Sequence, residues 1–358
     1  MDYLGRQSAV EAHLEKLHLD AFLTTHPANV RYLCGFAGSA GALLLHDGRP
    51  AFFTDGRYTA QAREQVAHAG VFISKGSPLL AAAQFAGKRG LRALGVERDH
   101  VTLGMHAALR TALGAATRLR GVSGVVEKLR MIKDSEEVAL IRDAVNLGAS
   151  LLDVALKSIR PGIAEAEVAA QIEFAARRAG AEAMSFETIV AAGVRSGMPH
   201  GIASALPIPA RGFVVLDFGV ILHGYCSDMT RTVHVGKASA GARRMYNSVL
   251  EAQQSAVNAV RAGTLCGQVD QAARSRLRSA GLARHFTHST GHGVGLEIHE
   301  PPRIGRGQRE PLQAGMMITI EPGVYVDGKG GVRIEDMVLV TGGGCEVLTP
   351  APKDFIEL

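Results

Sequence analysis

The chain has 358 residues, of which 47% are hydrophobic and 20% are charged, and its formal net charge is +5. This length suits about two domains, and the composition is that of an ordinary globular protein with a sizeable core. Because the basic residues are scattered and only 5% of residues are aromatic, neither a surface that follows phosphates nor a platform that stacks bases is predicted, so we expect no nucleic-acid partner.

The first 125 residues alternate segments typical of helices with segments typical of strands. Residues 8–17 have helical spacing and residues 21–25 are an apolar strand, while ALLLHDG and PAFFTDGRY are predicted strands that meet at an Asp47-Gly48 turn. A helix over 59–68 and the strands VFIS and LRALGVE follow. Alternation of this kind predicts an α/β domain.

A charged segment, EKLRMIKDSEEVALIRDA, begins at Glu127. In it Ser135 precedes two glutamates and an apolar periodic run, a pattern that predicts a capped helix start. We place the domain boundary just before this segment, which gives domains 1–125 and 126–358.

The second domain contains a faint internal duplication. Arg160-Pro161-Gly162 opens one long amphipathic helix, and Arg261-Ala262-Gly263 opens another about a hundred residues later. Each copy is followed by strand-rich sequence, and the spacing is too long for a solenoid repeat. We therefore expect two fused α+β halves with a site in the cleft between them.

The four cysteines and the N-terminus bear on the cellular compartment. Cys34, Cys226, Cys266 and Cys345 lie far apart without a CxxC pair, so no zinc–thiolate or redox site is predicted. The N-terminus lacks the apolar core of a signal peptide, and no apolar stretch approaches the roughly 20 residues that span a bilayer. We expect a cytoplasmic protein with no membrane partner.

Two aspartates stand in apolar, strand-like sequence. The segment FVVLDFGVILHGYCSDMTRTVHV carries Asp217 and Asp228, and a turn at His223-Gly224 would fold its second half back beside the first. A buried carboxylate is costly without a partner. Two carboxylates brought close together require a cation or a shared proton.

Histidines and further acids follow in the same pattern. HFTHSTGHGVGLEIHE holds His285, His288, His292 and His299, and the glycines between them would let the backbone approach a ligand. A lone histidine is usually structural, but four within a short glycine-rich segment favour a metal or substrate site. Glu321 ends the apolar run MMITIE, and Glu335 interrupts VRIEDMVLV. Either glutamate alone could belong to a buried ion pair, for example with Arg333.

Four carboxylates and one histidine suit divalent ions such as Mn²⁺, Co²⁺ or Zn²⁺. Two such ions roughly 3.5–4 Å apart lower the pKa of water and polarise a carbonyl, which are the two actions that peptide hydrolysis needs. Other catalytic motifs are missing from the sequence: the chain has neither the GxSxG motif of serine hydrolases nor the HExxH motif of zinc metalloproteases. The GHGVGL piece follows no clear Rossmann strand.

The motifs LDFG with YCSDMTRT, HSTGHGVGLEIHE, TIEPGVY and VRIED, together with NVRYLCGFAGS and TDGRY, extend over nearly the whole chain. In this order they resemble the pita-bread metallopeptidase family (M24), in the branch of aminopeptidase P and prolidase. The resemblance implies a creatinase-like α/β N-terminal domain and an α+β pita-bread (creatinase/aminopeptidase) C-terminal domain with pseudo-twofold halves. It also implies a homodimer.

The resemblance also implies roles for individual residues. Asp217, Asp228, His292, Glu321 and Glu335 would bind two divalent metal ions, with Asp228 and Glu335 bridging them. Glu321 would also act as an acid/base. His200, in the flap-like segment SGMPHG, would join His288 and His299 in contacting substrate and in catalysis, although an exposed loop histidine is the alternative for His200. Tyr325 and Arg333 would hold Asp217 in position.

The function that we predict is hydrolysis of the Xaa-Pro bond at peptide N-termini, as in aminopeptidase P. The alternative is a prolidase that is restricted to Xaa-Pro dipeptides, in which Arg57 or Arg303 could bind the free carboxylate. A creatinase that needs no metal and a metal-less binding module of the same fold are further alternatives. Retention of all five ligand positions argues against both.

Overall fold

The computed structural model describes all residues from Met1 to Leu358, which form two compact units, Met1–Arg130 and Met131–Leu358. The helices of unit 1 are α1 (Tyr3–Lys16), α2 (Pro27–Cys34), α3 (Thr59–Gln65), α4 (Pro78–Lys88), α5 (Leu103–Leu113) and α6 (Glu127–Arg130). Its strands are β1 (Ala21–Thr24), β2 (Gly41–Leu45), β3 (Ala51–Asp55), β4 (Gly70–Ser74), β5 (Ala93–Glu97) and β6 (Arg118–Val122).

Unit 1 is a six-stranded mixed sheet with the order β4-β3-β2-β1-β5-β6. The β2–β3 hairpin turns at Asp47 and Gly48, whose φ angles of 48° and 63° are both left-handed. Two consecutive residues of this kind match the twist of a hairpin, and Asp-Gly adopts them at low cost. This turn and the alternation of helices with strands agree with the α/β fold predicted for the N-terminal part.

Unit 2 holds the remaining elements. Its helices are α7 (Ser135–Ser150), α8 (Leu152–Ser158), α9 (Glu165–Arg178), α10 (Ala240–Ala259) and α11 (Cys266–Ser279). Its strands are β7 (Ala183–Met184), β8 (Ile189–Ala192), β9 (Gly212–Phe218), β10 (Val220–Leu222), β11 (Tyr225–Cys226), β12 (Met229–Val235), β13 (Gly291–Gly293), β14 (Glu300–Ile304), β15 (Met317–Ile320), β16 (Gly323–Val326), β17 (Gly330–Arg333), β18 (Asp336–Val340) and β19 (Cys345–Val347).

The predicted duplication is visible in the backbone of unit 2. Gly162 and Gly263 have φ angles of 86° and 87°, and each precedes a long helix, α9 or α11. The amide of Gly162 donates to Ile208 over 2.9 Å, and that of Gly263 donates to Leu312 over 2.8 Å. Each half therefore uses the same glycine turn to attach its helix to a later segment, which confirms the α+β architecture with two similar halves.

Each half has its own core and sheets. In the first half α9 packs on β12-β9-β8, and in the second α10 and α11 pack on β14-β13-β15-β18-β19. Short sheets β11-β10-β7 and β16-β17 complete the unit. No helix of the protein is long and apolar enough to cross a bilayer.

The start of α7 differs in detail from the prediction. Asp134, not Ser135, caps the helix, because its side chain accepts the amide of Glu137 while Glu137 accepts the amide of Asp134. The capping box is thus shifted by one residue, and Ser135 is the first helical residue.

Candidate metal centre and active-site cavity

Unit 2 contains a cavity of about 820 Å³. The five side chains predicted to bind metal, the three histidines predicted to act in catalysis and Arg333 all line it. They are Asp217, Asp228, His292, Glu321, Glu335, His200, His288, His299 and Arg333. The structure therefore brings together residues that are spread over more than a third of the chain.

The first two carboxylates are positioned by antiparallel pairing of β9 with β12. In this register Thr230 lies opposite Asp217 and Met229 lies opposite Phe218, and Asp228 immediately precedes β12. The left-handed residues His223 and Gly224 turn the intervening chain between β10 and β11. This return of the chain is the one that the sequence predicted.

The other three ligand candidates come from the second half. His292 is the middle residue of β13, Glu321 directly follows β15, and Glu335 joins β17 to β18. In the register of this sheet Gly293 pairs with Ile318, and Ile320 pairs with Asp336. These adjacent strands end near one another, so their polar residues meet at one edge.

Two glycines beside His292 are required by the packing of the sheet. A Cβ atom at Gly291 would lie 1.9 Å from the carbonyl oxygen of Thr319, and one at Gly293 would lie 2.2 Å from that of Pro301. They permit β13 to pack closely against its two neighbouring strands. Their contribution to ligand approach stays a prediction.

Side chains from four separate segments of the chain lie close together in the cavity. Ligand atoms of Asp228, His292 and Glu335 all lie within 4.8 Å of one another. His292 Nε2 is 3.5 Å from Asp228 Oδ2 and 3.6 Å from Glu321 Oε1. His292 Nδ1 donates to the carbonyl oxygen of Gly293 over 3.0 Å, which leaves the lone pair of Nε2 free to bind a metal.

The electrostatics of the cluster call for a cation. Asp217 Oδ1, Asp228 Oδ1 and Glu335 Oε1 are buried and accept no hydrogen bond. Burial raises the pKa of Asp228 and of Glu335 well above the usual range of a carboxyl group, and the charges of neighbouring carboxylates raise both further. Buried oxygens without donors are rare in folded proteins. A divalent ion would satisfy them, so this donor set fits a metal.

The guanidinium of Arg333 donates directly to a carboxylate of this cluster. Arg333 donates from Nη2 to Asp217 Oδ2, from Nε to Thr230 over 3.0 Å and from Nη1 to the hydroxyl of Tyr325 over 2.7 Å. Arg333 thus contacts Asp217 directly, and Tyr325 contacts Arg333. One guanidinium opposite four carboxyl groups leaves most of them without a compensating cation.

Thr230 is a site residue that the sequence analysis missed. Its hydroxyl donates to Glu335 Oε2 over 2.7 Å and accepts from Arg333. Its place opposite Asp217 in the predicted hairpin was a usable signal, because directly paired residues share a face of the sheet. Thr230 fixes the orientation of the Glu335 carboxylate within the cluster.

The three predicted histidines differ in what their rings contact. Both nitrogens of His288 are engaged, Nδ1 with the carbonyl of Ser289 over 2.8 Å and Nε2 with the hydroxyl of Tyr325 over 2.9 Å. Burial lowers the pKa of His288 to about 4, so its ring is neutral. The rings of His200 and His299 make no hydrogen bond within the protein, and both are exposed to the cavity.

The two candidate carboxylate-binding arginines also differ. Arg57, in unit 1, donates to Asp55 over 3.0 and 2.8 Å and so is already paired. Arg303 lies opposite His292 in the pairing of β13 with β14, lines the cavity and donates from Nε to the hydroxyl of Ser289 over 3.1 Å. His285 does not line the cavity, and its Nε2 faces Arg284.

Comparison with known proteins gives matches over nearly the whole chain. The profile of metallopeptidase family M24 matches residues 139–342, and that of the creatinase/prolidase N-terminal domain matches residues 6–132. The Xaa-Pro dipeptidase of Pyrococcus furiosus is 34% identical over 350 residues, which cover 96% of this chain and 97% of that protein.

Solved structures agree in fold. An Xaa-Pro dipeptidase from Bacillus anthracis has a TM-score of 0.96 and 39% identity, covering 99% of this chain and 100% of its own. An X-Pro aminopeptidase from Thermotoga maritima has a TM-score of 0.89 and 34% identity, covering 97% of this chain and 100% of its own.

Proposed function

Because this chain belongs to metallopeptidase family M24, we propose that it is an Xaa-Pro dipeptidase, which hydrolyses the peptide bond before proline. The family makes it a hydrolase that uses divalent metal ions. Relatives named Xaa-Pro dipeptidase share its full length, as does one named X-Pro aminopeptidase. Two of these three relatives are named dipeptidases, so we favour dipeptides as substrates over the longer peptides expected from the sequence alone.

The position of Arg303 is the observation that carries the choice of dipeptides. Arg303 and His292 are directly paired across β13 and β14, so both side chains project from the same face of the sheet. No carboxylate of the protein pairs with Arg303, whose Nη atoms are left to bind an anion. A guanidinium that lines the same cavity as the candidate metal ligands suits the C-terminal carboxylate of a dipeptide.

We assign five side chains to the binding of two divalent ions: Asp217, Asp228, His292, Glu321 and Glu335. Mn²⁺, Co²⁺ and Zn²⁺ all accept such oxygen and imidazole ligands. When bound, ions of this kind lower the pKa of water and polarise the scissile carbonyl group.

The remaining residues handle protons and position the substrate. Glu321 lies in the cluster, with Oε1 3.6 Å from His292 Nε2, where its carboxylate can accept a proton from the attacking water. His299 and His200 have free ring nitrogens facing the cavity and can donate to substrate carbonyl oxygens. His288 is held at both nitrogens, which favours a positioning role over proton transfer.

The test compares Ala-Pro with Ala-Pro-amide and Ala-Gly on the Mn²⁺-loaded enzyme. Ala-Pro should be the best substrate, and Arg303→Gln should raise KM for Ala-Pro about tenfold with little effect on Ala-Pro-amide, which lacks the carboxylate. Arg309→Gln, an exposed arginine outside the cavity, is the matched control. Equal cleavage of Ala-Pro and Ala-Gly would refute the proline preference, and better cleavage of Ala-Pro-Gly-Gly than of Ala-Pro would restore the aminopeptidase alternative.

We also propose that the protein is a homodimer, as the resemblance implies. Light scattering coupled to size-exclusion chromatography should give twice the chain mass of 37.8 kDa. A monomer with full activity would contradict it.

A further inference from the structure

A second cavity borders the active-site cavity in unit 2. It has a volume of about 410 Å³ and shares His288, Ser289 and Arg303 with the larger cavity. Its other lining residues include Arg274, Arg284 and Arg306, and none of the residues that line it is acidic. We refer to it as the arginine cavity. A volume of this size lies within the range of ligand sites in proteins.

The arginines of this cavity fall into two groups. Arg274 is buried and already satisfied, because Nε donates to Asp270 and Nη1 donates to the carbonyl oxygen of Phe286. Arg284, Arg303 and Arg306 are exposed and none of them pairs with a carboxylate of the protein. Three uncompensated guanidinium groups around one concave surface make it selective for anions.

Arg303 connects the arginine cavity to the reaction site. It lies opposite His292, and it lines both cavities. Under the proposed function, Arg303 marks the C-terminal end of a bound Xaa-Pro unit. A chain that continued beyond proline would therefore enter the arginine cavity.

Resting on that proposed function, we infer that the arginine cavity is a binding site for an acidic residue that follows proline in the substrate. Arg284 and Arg306 contact the side-chain carboxylate of this residue, and Arg303 contacts its backbone. The enzyme accordingly accepts Xaa-Pro-Glu and Xaa-Pro-Asp in addition to dipeptides, and it selects against tripeptides whose third side chain is neutral.

The experiment measures kcat/KM for Ala-Pro-Glu, Ala-Pro-Gln and Ala-Pro with Mn²⁺-loaded enzyme. Glutamate and glutamine have the same shape and differ in charge, so the ratio of the first two values isolates the carboxylate. We expect the native enzyme to favour Ala-Pro-Glu by about tenfold, as one or two charge-assisted hydrogen bonds at a partly exposed site would give.

Variants at exposed positions test the assignment. Arg306→Gln and Arg284→Gln should each reduce the preference to about threefold, and the double variant should abolish it. Arg306→Lys should retain part of it, since the charge remains. Arg309→Gln, outside the cavity, should leave the ratio unchanged.

The outcomes separate this inference from the proposed function. Equal rates for the two tripeptides, no cleavage of either one alongside normal cleavage of Ala-Pro, or a preference that persists in the double variant would each overturn the inference. Failure of the native enzyme to cleave Ala-Pro itself would overturn the proposed function. A preference lost in the double variant and kept in Arg309→Gln establishes the acidic subsite.

Discussion

His292 Nε2 lies 3.5 Å from Asp228 Oδ2, although the two residues belong to different halves of unit 2. Because His292 Nδ1 donates to Gly293, its Nε2 directs a lone pair towards an oxygen of the Asp228 carboxyl group. Burial lowers the pKa of His292 to about 4, so protonation of the ring does not relieve this repulsion near neutral pH. A cation bound by both side chains would relieve the repulsion. It would also explain why each half of unit 2 presents a ligand at the same point.

Replacing Asp228 by Asn keeps the shape of the side chain and removes its charge. We expect metal content and kcat/KM to fall together, the latter by at least about 100-fold, because Asp228 would be one of the side chains that hold the metal. Metal content is measured by mass spectrometry after dialysis. Asp327→Asn, at an exposed turn, is the matched control, and full metal occupancy in Asp228→Asn would contradict a role of Asp228 as a metal ligand.

Replacing His299 by Ala separates substrate contact from metal binding. The His299 ring packs edge-on against His292, with 4.4 Å between ring centroids, and makes no hydrogen bond in the protein. We therefore expect metal content to be retained and kcat/KM to fall about 100-fold, which is typical of a lost proton donor. Loss of metal together with activity would show that His299 supports the metal centre instead.

The stability of the metal-free protein should fall between pH 6.5 and pH 8. Burial raises the pKa of Glu321 from 4.5 to about 8, and it raises the pKa of Asp228 and Glu335 as well. The folded state therefore binds more protons than the unfolded state up to about pH 8, so stability is lost as the pH rises. The buried histidines, whose pKa values are lowered, destabilise the fold only below their ordinary value of 6.5.

Bound metal replaces these protons, so its stabilising effect should grow over the same pH range. The rise in Tm on adding Mn²⁺ should be larger at pH 8 than at pH 6.5, at roughly 2–4 °C for each kcal/mol of difference. Thermal melts with Mn²⁺ and with EDTA at both pH values measure this rise in Tm. A rise that is independent of pH would mean that the carboxylates are ionised without metal.

Glu165 should hold the segment that carries His200. Its buried carboxylate accepts from the amides of Ala192 and Ser204 over 2.8 and 3.1 Å, and it pairs with Arg195 over 3.0 Å. Glu165→Ala leaves these donors unsatisfied. We expect faster hydrogen exchange over residues 193–204 and a fall in kcat/KM of about tenfold.

Glu167→Ala provides the comparison for Glu165→Ala, since Glu167 lies on the same helix and is exposed. Exchange and activity in that variant should match the native protein. Slow exchange over residues 193–204 in Glu165→Ala would show that other contacts hold the segment.

Much of the fold and the candidate site followed from local sequence. The Asp47-Gly48 turn, the glycine turns before α9 and α11, and the return of the chain after Asp217 are set by residues that tolerate left-handed backbone. Carboxylates inside apolar strands were visible in the sequence, because the apolar pattern predicts burial whereas a charged side chain favours solvent. Such conflicts mark functional sites because burial of a charge is otherwise unfavourable.

Tertiary structure decided how those residues meet. Arg333 reaches Asp217 across 116 residues of chain, and Thr230 reaches Glu335 across 105. It also decided that Arg57 is paired with Asp55, whereas Arg303 lies opposite His292. Strand register and the packing of two halves depend on contacts summed over the whole unit. Local sequence therefore identified which residues carry the chemistry, and only the folded chain determined which of them share a surface.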